Sequence, residues 1–128
     1  MQIIRAIFLD LDDTLYAYKV ANEYAQQNTF LFLSNRLRCS EKELFSHFTY
    51  AREIVHNTLG NVASAHSRLL YFQKCIEQIS GKTNMSLTIE AHKLFWDSFL
   101  SRAELRDGVR EFLTLVKKQG KKVVIVSD

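Results

Sequence analysis

Apolar positions recur every three or four residues through the middle of the chain and cluster in continuous runs near its two ends, which predicts a set of helices flanked by two strands. The first run covers residues 3–9, with Arg5 as its one charged member, and stops at Asp10. The second, Val123-Val124-Ile125-Val126, is β-branched throughout and suits a strand buried on both faces of a parallel sheet. Between them, Val20, Ala21, Tyr24 and Ala25 lead into Phe30-Leu31-Phe32-Leu33, a helix to about Leu37. Ser40-Glu41-Lys42-Glu43 is a capping box, and the helix it opens would bury Leu44, Phe48, Ala51 and Val55 before stopping near Gly60. A third stripe runs Ala65, Leu69, Phe72, Ile76 and Ile79 up to Gly81. A fourth, from about Thr88 to Leu100, presents Ala91, Leu94, Phe95 and Phe99. Four such helices can share one bundle core. Asp107 to Gly120 reads as a further helix, with Asp107 as N-cap, a face of Val109, Phe112, Leu113 and Val116, and Gly120 as its stop.

Composition narrows the class without naming it. With 47% hydrophobic and 24% charged residues the chain is ordinary globular material, and no Pro-rich or Gly-rich linker interrupts its 128 residues. No stretch approaches the ~20 apolar residues of a membrane helix, so a cytoplasmic protein without a membrane partner is expected. Cys39 and Cys75 are isolated, and reduced thiols are expected rather than a disulfide or a metal pair. His47, His56, His66 and His92 lack ligand spacing. The aromatic residues Phe30, Phe32, Phe45, Phe48, Phe72, Phe95, Trp96 and Phe99 fall at helical spacing and read as bundle core. The net charge of +3 arises from 17 basic residues interspersed with 14 acidic ones, which argues against a nucleic-acid surface and leaves a mild field suited to small anions.

Candidate chemistry sits where the first strand ends, in Asp10-Leu11-Asp12-Asp13-Thr14. In extended geometry Asp10 and Asp12 point the same way, roughly 6–7 Å apart, a gap that holds a phosphoryl group. Asp10 could attack phosphorus while Asp12 protonates the leaving alkoxide and later takes the proton of water. An Asp-rich turn after a strand is the structural alternative, with Asp13 and Thr14 marking the exit.

The run Asp10 to Thr14 resembles, position for position, the first signature of the haloacid dehalogenase superfamily. The strand ending at Ser127 matches that family's second signature, in which a hydroxyl and the following backbone N–H hold the phosphoryl oxygens. The resemblance implies an α/β fold: a partial Rossmann-like parallel sheet with two core strands and a core helix, carrying an inserted four-helix-bundle cap. Residues 1–16 and 102–128 would form the core and residues 17–101 the cap. It further implies Asp10 and Asp12 as catalytic residues, Thr14, Ser127 and Asp128 as phosphate-binding residues, and Mg2+ held by Asp10 and Asp12. Tyr16, Tyr18 and Lys19 would line the substrate entrance, with Lys19 assisting an anionic substrate.

Asp12 favours phosphoryl transfer, because the family's dehalogenases lack a carboxylate there. A phosphatase acting on small phosphorylated metabolites is expected, with a phosphomutase as the neighbouring chemistry. The family's later signatures, a Lys or Arg and the carboxylates that complete the metal site, have no counterpart in the 128 residues. The expectation is therefore a truncated chain, about the first half of a phosphatase, binding magnesium weakly and turning over little by itself. The reading from another class is a catalytically silent module, either self-associating as a homodimer through open strand edges or stabilised chiefly by its helical bundle.

Overall fold

The computed structural model describes residues 4–127, so Asp128 and the start of the first apolar run lie outside the described residues. The elements follow in the order β1 (Ala6–Asp10), α1 (Tyr18–Leu37), α2 (Glu41–Leu59), a 3-10 turn (Ala63–His66), α3 (Arg68–Ser80), α4 (Met85–Arg102), α5 (Val109–Lys118) and β2 (Lys122–Val126). Two compact units emerge. One holds the chain up to Glu23 together with the chain from Phe99 onward, and the other is Tyr24–Ser98. The boundaries of these units fall within the residue ranges of α1 and α4.

The Tyr24–Ser98 unit is a bundle of four helices. A chain of aromatic contacts threads it: Phe30 of α1 meets Phe48 of α2 at 5.2 Å, Phe48 meets Phe72 of α3 at 5.2 Å, and Phe72 meets Phe95 of α4 at 6.0 Å. Each such pair adds about 0.5–1.5 kcal/mol beyond the area it buries. Around this chain Leu33, Leu44, Ala51, Ile76, Cys75 and Ala91 are buried completely. The buried hydroxyls of Thr29 and Thr88 donate to the carbonyls of Ala25 and Asn84, both at 2.8 Å, so neither is buried unpaired. Not every aromatic residue belongs to this core. Phe45 is 53% exposed and Trp96 36%, because at these spacings the stripe is wider than the face the neighbouring helices can cover.

Local signals place the helix starts. The capping box is formed in full: Glu43 N–H donates to Ser40 Oγ at 3.2 Å, and Ser40 N–H donates to the Glu43 carboxylate at 2.9 Å. The Ser40 backbone N–H first, and then its hydroxyl, which donates to the same carboxylate at 2.8 Å, hold the Glu43 carboxyl below its usual range. That contribution is complete above the ordinary value of 4.5 and is lost as the pH falls through the lower folded value. Ser40→Ala should lower the thermal unfolding midpoint by a few degrees, the effect of a lost N-cap of about 1 kcal/mol, and should return the Glu43 titration toward 4.5 by NMR. An unchanged Glu43 titration would assign the lowered value to the backbone N–H of residue 40, which alanine keeps. Helix α5 departs from expectation: its N-cap is Gly108, at φ 81, and not Asp107. A left-handed entry suits Gly and strains an L side chain.

In the first unit β1 and β2 are parallel neighbours, paired from Ala6↔Lys122 to Asp10↔Val126. Helix α5 packs on β2, and Val116 is its buried residue. The expectation that β2 is buried on both faces is corrected: each of its five residues is exposed, and so is Phe8 of β1. A two-stranded sheet with one helix against it cannot cover both faces. Among the described residues no helix is long and apolar enough to cross a membrane. Cys75 is buried and Cys39 partly so, and both are free thiols.

Candidate active site

The site grows out of the last residue of β1. Beyond Asp10 the chain does not continue as a strand. It curls, with Leu15 N–H donating to Leu11 O at 3.0 Å, and Asp13 takes a left-handed φ of 59. Asp tolerates that conformation better than most residues, because its short side chain bonds nearby backbone. Asp12 stands at the start of that turn and forms an isolated parallel bridge to Tyr16.

The curl brings hydroxyls back onto both carboxylates. Thr14 Oγ1 donates to Asp10 Oδ2 at 2.7 Å, and the Tyr16 hydroxyl donates to Asp12 Oδ1. Each donor lies four residues after its acceptor. Each bond occupies one oxygen, so Oδ1 of Asp10 and Oδ2 of Asp12 are the oxygens left for other partners. Burial, then the bond to Asp12 and its charge, raise the Tyr16 phenol above its ordinary value and keep it a donor.

Asp13 has a different task. Its Oδ1 accepts from the Tyr18 N–H at 3.0 Å, satisfying one of the open donors at the start of α1 and placing negative charge at that helix's positive end. The same oxygen lies 3.8 Å from Arg106 Nη2. With both side chains more than half exposed, this ion pair is worth little by itself. Its context gives it meaning: Arg106 N–H donates to Leu15 O at 2.9 Å, and Leu105 bridges Tyr16 in antiparallel fashion. The chain returning from the helical insertion is thus tied to the turn that carries the acids. Arg106 was not legible as part of this site, since nothing around it in sequence says which carboxylate it meets. The two hydroxyl tethers carry a signal, a donor at i+4 from each Asp, once the curl is known.

The remaining candidates divide. Ser127 follows Val126, the register partner of Asp10, so it stands at the same end of the adjacent strand, about 4.8 Å away in the pairing direction. Asp128 lies outside the described residues. Tyr16 and Tyr18 both place their rings on Phe99, at 5.9 and 5.7 Å, and Tyr18 also donates its hydroxyl to Asn22. Lys19 lies in solvent, 3.8 Å from Glu23 on its own helix, and no described contact brings it to the carboxylates. Among the described residues no group of three or more His, Cys, Asp or Glu gathers that could enclose a metal ion. The hard-oxygen donors of Asp10 and Asp12 suit magnesium, which usually keeps several waters beside one or two carboxylates.

The chain is 26% identical over 125 residues to ribulose-1,5-bisphosphate 5-phosphatase of Halopiger xanaduensis, an alignment covering 96% of this chain and 52% of that relative. The chain thus spans about half the length of the curated relative it matches. The model of the haloacid dehalogenase-like hydrolases matches residues 4–128, from the apolar run before Asp10 through the strand that ends beside it, and the chain belongs to that family.

Proposed function

We propose that this chain carries the nucleophile and the acid/base of a phosphatase for small phosphate monoesters. One observation carries the reading: two carboxylates, each tethered by a hydroxyl on one oxygen, sit at the C-terminal end of a parallel strand pair beside Ser127. Ligands of open parallel sheets bind outside those strand ends. Asp10, with Oδ2 held by Thr14, attacks phosphorus through Oδ1 to form an aspartyl-phosphate, and the leaving alkoxide takes a proton from Asp12. Asp12 then removes a proton from the water that attacks phosphorus and frees Asp10. Ser127 orients the phosphoryl oxygens. Magnesium would be held weakly by the Asp10 carboxylate and the Asp12 backbone carbonyl, and when bound it would neutralise phosphoryl charge. The helical insertion takes the part of a cap that excludes water and selects the rest of the substrate.

The Halopiger relative is named as a 5-phosphatase of ribulose 1,5-bisphosphate, and a phosphorylated metabolite is the substrate class proposed for this chain. A phosphomutase uses the same carboxylate pair and is separated by product, since it returns the phosphoryl group to an organic acceptor.

Hydrolysis of p-nitrophenyl phosphate and of an alkyl phosphate, with and without magnesium, tests the reading on the protein as its gene encodes it. Magnesium-stimulated release of phosphate is expected. In Asp12→Asn, the alkyl phosphate should lose about 10²-fold in kcat and p-nitrophenyl phosphate much less, because nitrophenolate departs without a proton. Equal losses on the two substrates would remove Asp12 from the acid/base role. Absence of turnover, with light scattering showing a dimer indifferent to magnesium, would instead favour the silent module, for which the exposed residues of β2 are the supporting observation.

A further inference from the structure

Tyr16 stands where three segments of the first unit meet. Its hydroxyl donates to Asp12 Oδ1, its backbone bridges both Asp12 and Leu105, and its ring meets Phe99 edge-on at 5.9 Å. The residue before it, Leu15, is buried and accepts the Arg106 N–H. The phenol is therefore fixed from the turn itself, from the returning strand-like segment at Leu105 and Arg106, and from the end of α4. Asp12 is exposed, and an aspartate on an exposed turn has little else to select one rotamer. The phenolic O–H can donate to a carboxylate oxygen and to the carbonyl oxygen of a carboxylic acid alike, so this bond persists through a reaction cycle in which Asp12 gains and loses a proton.

Resting on the phosphoryl-transfer reading above, we propose that Tyr16 is the positioning residue of Asp12: its hydroxyl holds Oδ1 and thereby makes Oδ2 the atom that delivers and recovers the proton. In the first step the Asp10 Oδ1–phosphorus bond forms as the ester P–O bond breaks, and the Oδ2 proton passes to the departing alkoxide oxygen. In the second, a water oxygen bonds phosphorus and the aspartyl O–P bond breaks. The proton of that water returns to Asp12 Oδ2. The phenolic proton stays on Tyr16 throughout. A carboxylic acid whose Oδ1 accepts a hydrogen bond carries its own proton on Oδ2, so the tether sets which oxygen is the acid as well as where it points.

The test is Tyr16→Phe, which keeps the ring against Phe99 and deletes one oxygen. On the protein as its gene encodes it, kcat for an alkyl phosphate should fall about tenfold, part of what a placed general acid contributes, while kcat for p-nitrophenyl phosphate changes by less than about twofold and both KM values stay. A merely structural tyrosine would lower both rates together or move KM, and either result overturns the proposal. An independent readout needs no turnover. The Hα–Hβ three-bond couplings of Asp12 should report one χ1 rotamer in the native chain and averaged rotamers in Tyr16→Phe. Unchanged couplings in the variant overturn the positioning role even where the kinetics split as expected. Averaged couplings in a protein that hydrolyses neither substrate would uphold the tether and count only against the phosphatase reading.

Discussion

On the proposed mechanism, Asp10→Asn is expected to remove phosphatase turnover, by at least about 10³-fold in kcat, or some 4 kcal/mol of lost transition-state stabilisation. The substitution is isosteric. Its carbonyl oxygen can still accept the Thr14 hydroxyl in place of Oδ2, so the turn after β1 retains its closure, and circular dichroism should show the same helical content and melting. What changes is the atom facing phosphorus. A carboxylate oxygen carries a full share of negative charge and forms an acyl phosphate that water can open, whereas an amide is neutral, delocalises its lone pair and is no nucleophile for a phosphate monoester. The loss should be the same for good and poor leaving groups, which separates it from the Asp12→Asn result. Rapid acid quench with labelled substrate should trap phosphate on the native protein and none on the variant. A residual rate within tenfold of native would place the nucleophile elsewhere and leave the Thr14–Asp10 bond with a purely structural purpose.

The largest effect on stability is expected from Phe72→Ala. Phe72 has no exposed surface, lies on α3 between Phe48 and Phe95, and links the aromatic chain that joins α2, α3 and α4. Truncating a buried Phe removes its transfer free energy and leaves a cavity the neighbours fill only in part, a cost of about 3–5 kcal/mol. Against a total of roughly 5–15 kcal/mol this is a large share, equivalent to a fall of about 10–20 °C in Tm. Chemical denaturation should show a lower midpoint with an unchanged slope. Phe45→Ala is the comparison: its ring is half exposed and touches only the edge of the same chain, 6.3 Å from Phe30, so a loss below about 1 kcal/mol is expected. Similar losses for the two would mean that the bundle is not organised around Phe72.

Several elements were readable because their causes act within one or two turns of the chain. Ser40 and Glu43 satisfy each other's backbone donors three residues apart, and the helix starts where they are. Leu44, Ala51 and Val55 are buried at the spacing that predicts it, and so are Phe72 and Ile76. Continuous β-branched residues ahead of Ser127 make a strand at Lys122–Val126. The same reasoning misjudged Asp107, because the turn into α5 needs a left-handed residue and only the geometry of that turn shows that Gly108, one step later, supplies it. It overstated the burial of β2 as well. An apolar run says that a strand seeks cover, and whether cover is present depends on how many elements the described chain can lay against it.

At the candidate site the division is sharper. The identity of Asp10, Asp12, Thr14 and Ser127 as a group, and the family they belong to, lie in two short runs at the ends of the chain. Residue order alone brought in the acids. It left open which oxygens they present, that Asp13 serves the start of α1, and that Arg106 returns to meet Asp13. Those facts were decided by the curl after β1 and by the closing of a long insertion that brings Leu105 and Arg106 back beside Tyr16 and Leu15. Capping and periodicity are set by neighbours a few residues apart and are written locally. A contact across an insertion of four helices depends on the packing of everything between its two ends, and no local pattern encodes it.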